Sequence, residues 1–173
     1  MASLRDIATL CIDGDWIESK DQSDYGIRLI QTGNVGVGEY IDKPDRAKYI
    51  SEDTFTRLKC TEVQSGDVLI SRLPDPVGRA CIVPDGLGKT ITAVDCTIVR
   101  TKESMCFARY LLYFTESKAY RIQIEKFLAG STRTRISRRN LERIIIPIIS
   151  IEEQKGIIRS LDCVCKQMGI RIN

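Results

Sequence analysis

The stretch GDVLISRLPDPVGRACIVPDG, Gly66–Gly86, sets the fold class. Gly66-Asp67 reads as a turn leading into the apolar run Val68-Leu69-Ile70-Ser71-Arg72. A proline-bearing loop, Leu73-Pro74-Asp75-Pro76, carries the chain to Val77–Val83, and Asp85-Gly86 turns it again. Short apolar runs bounded by turn signals are strands. Ile91–Arg100 follows, rich in β-branched residues, so the centre is β-rich. Downstream the period becomes helical. Phe107, Ala108, Leu111, Leu112 and Phe114 share one side of a run that Ser104 is placed to cap. Tyr120, Ile124, Phe127 and Leu128 mark another helix, stopped by Gly130. Upstream, Leu4–Cys11 reads as a helical turn, Ile27–Gln31 as a half-buried strand and Thr32-Gly33-Asn34 as a turn. Val35–Ile41 reads as a second strand. Ser51 is expected to cap a helix with Glu52 and Asp53 in its first turn, where the dipole favours acids. The expected fold is α+β: a mixed, mainly antiparallel curled sheet with flanking helices, one principal sheet, then a short C-terminal helix.

The chain of 173 residues suits one domain with an appendage, divided here at 1–149 and 150–173. In the appendage Ile157, Leu161, Val164 and Met168 recur four, three and four apart, the spacing of a two-helix seam. Either the helix packs on its own domain or it is the start of a longer interaction helix. Gly156 and Gly169 weaken it.

Composition is that of an ordinary globule, 43% hydrophobic and 28% charged, but the charge is unevenly spread. Residues 1–100 carry 12 Lys/Arg against 16 Asp/Glu, and residues 101–173 carry 14 against 7. The net charge of +3 therefore hides a division into −4 and +7. Five arginines fall within the eleven residues from Arg133 to Arg143: Arg133, Arg135, Arg138, Arg139 and Arg143, with Glu142 as the one acid. Guanidiniums this dense suit a polyanion, because each offers paired hydrogen bonds to phosphate or to a guanine edge. Such a cluster is also the footprint of a nucleic-acid binder; the plainer alternative is a solvated basic face.

The sequence has no histidine, which excludes imidazole-based triads, general bases and zinc ligands. Its seven cysteines form no C-x-x-C pair, and the close pair Cys163-x-Cys165 is unsuited to a zinc knuckle, so no metal site is expected. Cys11, Cys81, Cys96 and Cys106 sit in apolar runs and read as small core residues. That usage, with no apolar signal segment and no membrane-length run, leads to the expectation of a cytoplasmic protein with no membrane partner.

Enzyme signatures are weak. There is no Pro-Pro for an adenine-methylating tetrapeptide. Pro74-Asp75 and Pro84-Asp85 could open a metal-nuclease motif, but the Glu-x-Lys in range, Glu116-Ser117-Lys118, falls in a helical stretch. Gly86-Leu87-Gly88-Lys89-Thr90 lacks Walker A spacing and reads as a glycine-rich turn with an exposed lysine. Binding signals remain. Arg72 and Arg79 flank the proline loop beside Ser71 and Gly78, while Gln31 and Asn34 bracket a turn and have the chemistry to read an adenine edge.

Several stretches, in order, resemble the target recognition domain of type I restriction-modification specificity subunits. These are Gly26-Ile27-Arg28-Leu29-Ile30-Gln31-Thr32-Gly33-Asn34, Tyr49-Ile50-Ser51-Glu52, Gly66–Arg72, Gly78-Arg79-Ala80 and Gly130-Ser131-Thr132. The end, Leu141…Ile146-Pro147-Ile148…Ile151-Glu152-Glu153-Gln154-Lys155…Ile158, is similar to the junction where such a domain enters its spacer helix. The resemblance runs from Leu4 to Leu161. It implies a non-catalytic reader of one half of a split double-stranded DNA target. Two such domains, or a homodimer, would join modification methyltransferase subunits and a restriction-translocase subunit. S-adenosylmethionine, ATP and Mg²⁺ would belong to those partners, leaving this chain no cofactor of its own. Carried over, Gln31, Asn34, Ser71, Arg72, Arg79, Ser131, Thr132, Arg133 and Arg135 are the expected contacts in matching loops. Lys118, Arg121, Lys126, Arg138 and Arg139 are expected on phosphates. Ile157, Leu161, Val164 and Met168 are the expected helix interface. The chain departs from the pattern in carrying one recognition domain and a short spacer helix. The alternatives are a basic protein-interaction module and a divergent domain associated with a DNA endonuclease.

Overall fold

The computed structural model describes residues 1–128 and 134–169. In chain order the strands and helices are β1 (Ala2–Ser3), β2 (Ala8–Asp13), β3 (Ile27–Ile30), β4 (Lys48–Ile50), α1 (Glu52–Leu58), β5 (Val68–Ser71), β6 (Ala80–Ile82), β7 (Thr90–Thr92), β8 (Cys96–Thr101), α2 (Ala108–Thr115), α3 (Lys118–Leu128), α4 (Arg138–Leu141), β9 (Ile145–Ile146) and α5 (Ile151–Gln167). The fold is mixed and mainly antiparallel, as expected. Its strands are divided among three sheets rather than gathered in one: β2-β8-β5-β6, β4-β3-β7 and β1-β9. The β3–β7 pair is the parallel one.

Alternation explains why the opening stretch is apolar at every position. Successive side chains of a strand point to opposite faces, and β5 is covered on both. Val68 and Ile70 join a core with α2 and α3 through Leu111, Leu112, Tyr120 and Ile124. Leu69 joins a second core with Ile30, Cys81 and Ile98. A third, smaller core places Ile27, Leu29, Ile50 and Ile91 beneath Phe55 and Leu58 of α1. Ser51 caps α1 as expected, its hydroxyl accepting from Thr54 N–H. Gly78 permits the closest approach of α3: it has φ +80°, and a Cβ there would lie 2.8 Å from Ile124 Cδ1. Cys11, Cys81, Cys96 and Cys106 are buried in these cores. Burial pushes the Cys11 and Cys96 thiols up to about 11 and Cys106 to about 12, so they are poor nucleophiles.

Three local expectations are overturned in whole or in part. The helical turn expected over Leu4–Cys11 is present only at Ser3–Ile7, where Ile7 N–H reaches Ser3 O and Ser3 bonds Asp6; from Ala8 the chain is β2. Pairing of β2 with β8 outweighs the local helical pattern. Val35–Ile41 forms no strand: among the described residues it meets the edge of β6 through Gly38 N–H to Ala80 O alone. The segment closes on itself instead, with Gly36 N–H bonded to Glu39 O and Ile41 N–H to Asn34 O. Ser104 does not cap α2.

Gln154, from the first turn of α5, caps α2 in its place. Phe107 N–H donates to Gln154 Oε1 at 3.1 Å, and Gln154 Nε2 donates to Met105 O (2.8 Å) and Ile149 O (3.1 Å). The side chain is fully buried. Gln154→Ala would leave one N–H and two carbonyls unpaired in the interior, a loss of about 2–4 kcal/mol. Urea unfolding should show the midpoint falling accordingly; a loss under about 1 kcal/mol would mean that water replaces the amide. Further along α5, Asp162 binds Arg109 at 2.9 Å and accepts from Tyr113 OH. A capping box between Ser150 and Glu153 opens the helix.

Candidate nucleic-acid interface

The arginine-rich segment is anchored by the apolar residues set between its charges. Ile136 and Leu141 are fully buried and Ile144 nearly so. Ile136 N–H donates to Arg72 O at 3.2 Å, and Ser137 caps the single turn of α4 by accepting from Asn140 N–H. Arg135, Arg139 and Arg143 are exposed and Arg138 is half-buried. The guanidiniums thus stand on a short, pinned piece of backbone.

Two aspartates meet them. Arg135 Nη2 lies 2.9 Å from Asp95 Oδ1, and Arg138 Nε lies 3.7 Å from Asp13 Oδ2. Arg138 also reaches Glu142 at 2.9 Å and Cys11 O at 3.2 Å. Behind both acids sits Arg72, 5% exposed, with its Nε 3.3 Å from Asp13 Oδ1 and its Nη2 3.8 Å from Asp95 Oδ1. Its Nη2 also donates to Val94 O at 2.6 Å. Burial lowers the Arg72 pKa from its ordinary value, and the carboxylate of Asp13 opposes that shift. The acids are held in turn. Asp13 Oδ1 accepts from Thr97 Oγ1 at 2.9 Å, and the chain leaves β2 through Gly14, whose absent side chain lets its Cα approach Thr92 O. Asp13 and Asp95 were not foreseen from sequence, since Asp95 lies in a turn with no local signal of its role.

Other expected contacts are placed differently. Ser71 is fully buried, and its hydroxyl donates to Leu73 O at 3.3 Å. Arg72 is enclosed as described. Asn34 is buried, accepting from Gln31 N–H and donating to Ile41 O, each at 2.9 Å. Arg79 spends its guanidinium on four carbonyls: Val35 O (2.7 Å), Leu73 O (2.8 Å), Thr32 O (3.0 Å) and Pro76 O (3.2 Å). These four residues hold loops together instead of facing outward. The turn glycines and the proline loop suggest exposure, whereas the folded chain closes over Asn34, Ser71 and Arg72 and leaves Arg79 half-buried with its donors occupied. Arg121 is similarly engaged, Nη1 donating to Val77 O at 2.6 Å. Lys89 is paired as well, with Glu52 at 2.6 Å and over the Phe55 ring.

Gln31, Lys118, Lys126 and Arg139 are exposed. Ser131, Thr132 and Arg133, with Gly130, lie outside the described residues. On α5, Gln154, Ile158 and Asp162 face the domain, while Ile157, Leu161, Val164 and Met168 are exposed at 36–67%. The seam therefore forms one apolar stripe turned away from its own domain. No helix among the described residues is long and apolar enough to cross a membrane. Among them, no group of three or more Cys, Asp or Glu side chains is placed to hold a metal ion.

Comparison with solved structures places this fold beside two type I restriction-modification chains. One comes from a structure of the complex assembly and conformational transition of a type I R-M system. It is 21% identical, with a TM-score of 0.73, and the match covers 97% of this chain and 38% of that one. The other is the HsdS subunit from Thermoanaerobacter tengcongensis, 20% identical, with a TM-score of 0.68 and coverage of 97% and 37%. The chain thus spans under two-fifths of the length of these structural relatives. No curated protein matches it. The family described as the type I restriction modification DNA specificity domain matches residues 1–171, nearly the whole sequence, and the chain belongs to that family.

Proposed function

We propose that this chain reads one half of a split double-stranded DNA target and delivers partner modification methyltransferase subunits, and a restriction-translocase subunit, to it. The observation that carries the reading is the anchored arginine segment on a chain matched along its length by a DNA specificity family. Residues 1–149 act as the recognition domain and residues 150–173 as the start of the spacer helix. The exposed stripe Ile157, Leu161, Val164 and Met168 receives either a second copy of the chain or a second specificity half. The chain performs no chemistry; S-adenosylmethionine, ATP and Mg²⁺ act on the partner subunits, in the cytoplasm. Arg133 and Arg135, with Ser131, Thr132 and Gln31, are assigned to base choice. Lys118, Lys126 and Arg139 are assigned to phosphates, which give affinity but no sequence information; Arg138, paired with Asp13 and Glu142, is not counted among them.

The test is a methylome. The chain is expressed with the methyltransferase subunit of its own genome, and modified adenines are mapped by single-molecule sequencing. A split motif that appears only when the chain is present is the expected result. An unchanged methylome, together with no salt-dependent duplex binding by the chain, would overturn the proposal.

A further inference from the structure

We infer that Asp13 and Asp95 are positioning residues for DNA readout: clamped from behind by buried Arg72, they hold Arg138 and Arg135 in fixed orientations and mute their attraction to plain phosphate. The inference rests on the DNA-reading function proposed above and names how one part of that surface gains selectivity.

The groups alternate in charge along one continuous line, Arg138–Asp13–Arg72–Asp95–Arg135, with separations of 3.7, 3.3, 3.8 and 2.9 Å. The arrangement has an inside and an outside. Arg72 is enclosed, the two acids are about a quarter exposed, and the outer arginines are two-fifths exposed. A surface ion pair alone would do little, because two mobile side chains exchange it for water. Here the acids are not mobile, since each is drawn inward by the same buried cation. Asp13 is additionally bonded to Thr97, while Arg72 is tied to Val94 O. Asp95 Oδ1 is buried and receives no aligned hydrogen bond among the described residues, so its contacts with Arg135 and Arg72 are charge pairings.

Two consequences follow for a DNA surface. An unpaired arginine binds any phosphate and contributes to sequence-independent affinity. Pairing cancels much of that monopole: three arginines and two aspartates leave the line at +1, and Glu142 offsets Arg138 further. A guanidinium drawn by charge toward a fixed carboxylate is confined to one side of it and keeps its N–H groups for a partner, which favours bidentate contact with a guanine. Removing an acid should therefore strengthen binding to the wrong sequence while weakening discrimination. Loss of a merely structural contact would do neither.

The experiment uses the full chain and two duplexes, one selected by the unmodified chain from a randomised pool and a scrambled one of equal composition. Asp95→Asn keeps the shape and removes the charge. It is expected to bind the scrambled duplex about 3–10-fold tighter, with a log–log salt slope steeper by about one. The selected-to-scrambled affinity ratio should fall roughly tenfold. Asp95→Glu should restore part of that ratio. In an Arg135→Gln background, Asp95→Asn should have no further effect on either duplex. Should Asp95→Asn fail to fold, judged by circular dichroism, Asp13→Asn supplies the same reading through Arg138. Equal changes on both duplexes, an unaltered ratio, or an effect that persists without Arg135 would overturn the inference. If the unmodified chain selects nothing from the pool, the DNA-reading function itself falls, a result that needs no variant and is told apart on that ground.

Discussion

Arg79→Ala is expected to lower stability by about 3–5 kcal/mol while leaving no specific mark on sequence preference. The guanidinium joins three separate pieces of chain: the turn at Thr32–Val35, the proline loop at Leu73 and Pro76, and its own position at the head of β6. A hydrogen bond from a charged donor contributes about 1.5–3 kcal/mol, and the four here share one side chain, so their effects do not simply add. Lysine should rescue little, because an ammonium cannot span a fork of carbonyls lying in different directions. Against a typical stability of about 5–15 kcal/mol, the alanine variant approaches the folding threshold. Urea titration gives the midpoint, and duplex binding is compared at matched fractions folded. A variant that kept its midpoint but lost discrimination between duplexes would return Arg79 to the DNA surface.

Asp67→Ala is expected to cost about 3–5 kcal/mol. Asp67 is 1% exposed and precedes β5, directly across from Arg100 on β8. Arg100 Nε and Nη2 donate to its two oxygens at 2.8 Å each, and Gln64 N–H donates to Oδ2 at 2.8 Å. Taking away the carboxylate strands a guanidinium that is only about one-third exposed, together with a backbone donor in the turn. Asp67→Asn retains acceptance from Gln64 and should cost less. The double variant Asp67→Leu with Arg100→Met should recover part of the loss, since replacing a buried pair outright is cheaper than breaking it. Chemical denaturation of the four-member cycle checks this. Single variants that added to the double would show that the two residues do not act as a pair.

Much of the architecture was legible in the chain. The apolar runs at Val68 and Ile91, the Ser51 cap and the switch to helical period after Thr101 all correspond to elements where local preference and tertiary demand agree. The second half of Leu4–Cys11 and the whole of Val35–Ile41 depart from their local pattern: long-range pairing with β8 decides Ala8–Asp13, whereas Val35–Ile41 closes on its own backbone. The site shows the same division. The arginine cluster and the apolar stripe on α5 were visible because charge density and heptad spacing are local properties. Asn34, Ser71, Arg72 and Arg79 look like contacts in the sequence because they sit beside turn residues, and turns are commonly exposed. In the folded chain Asn34, Ser71 and Arg72 are buried, and the donors of half-buried Arg79 are taken up by four carbonyls.

By itself, then, the sequence determined the class of fold, the families of interaction to seek, and the two surfaces where charge and apolar residues gather. Tertiary structure alone decided which arginines are free to meet a ligand and which are consumed in holding the molecule together. A guanidinium has five donors and no preference between a carbonyl, an aspartate and a phosphate until neighbours from distant parts of the chain are brought within about 3 Å of it.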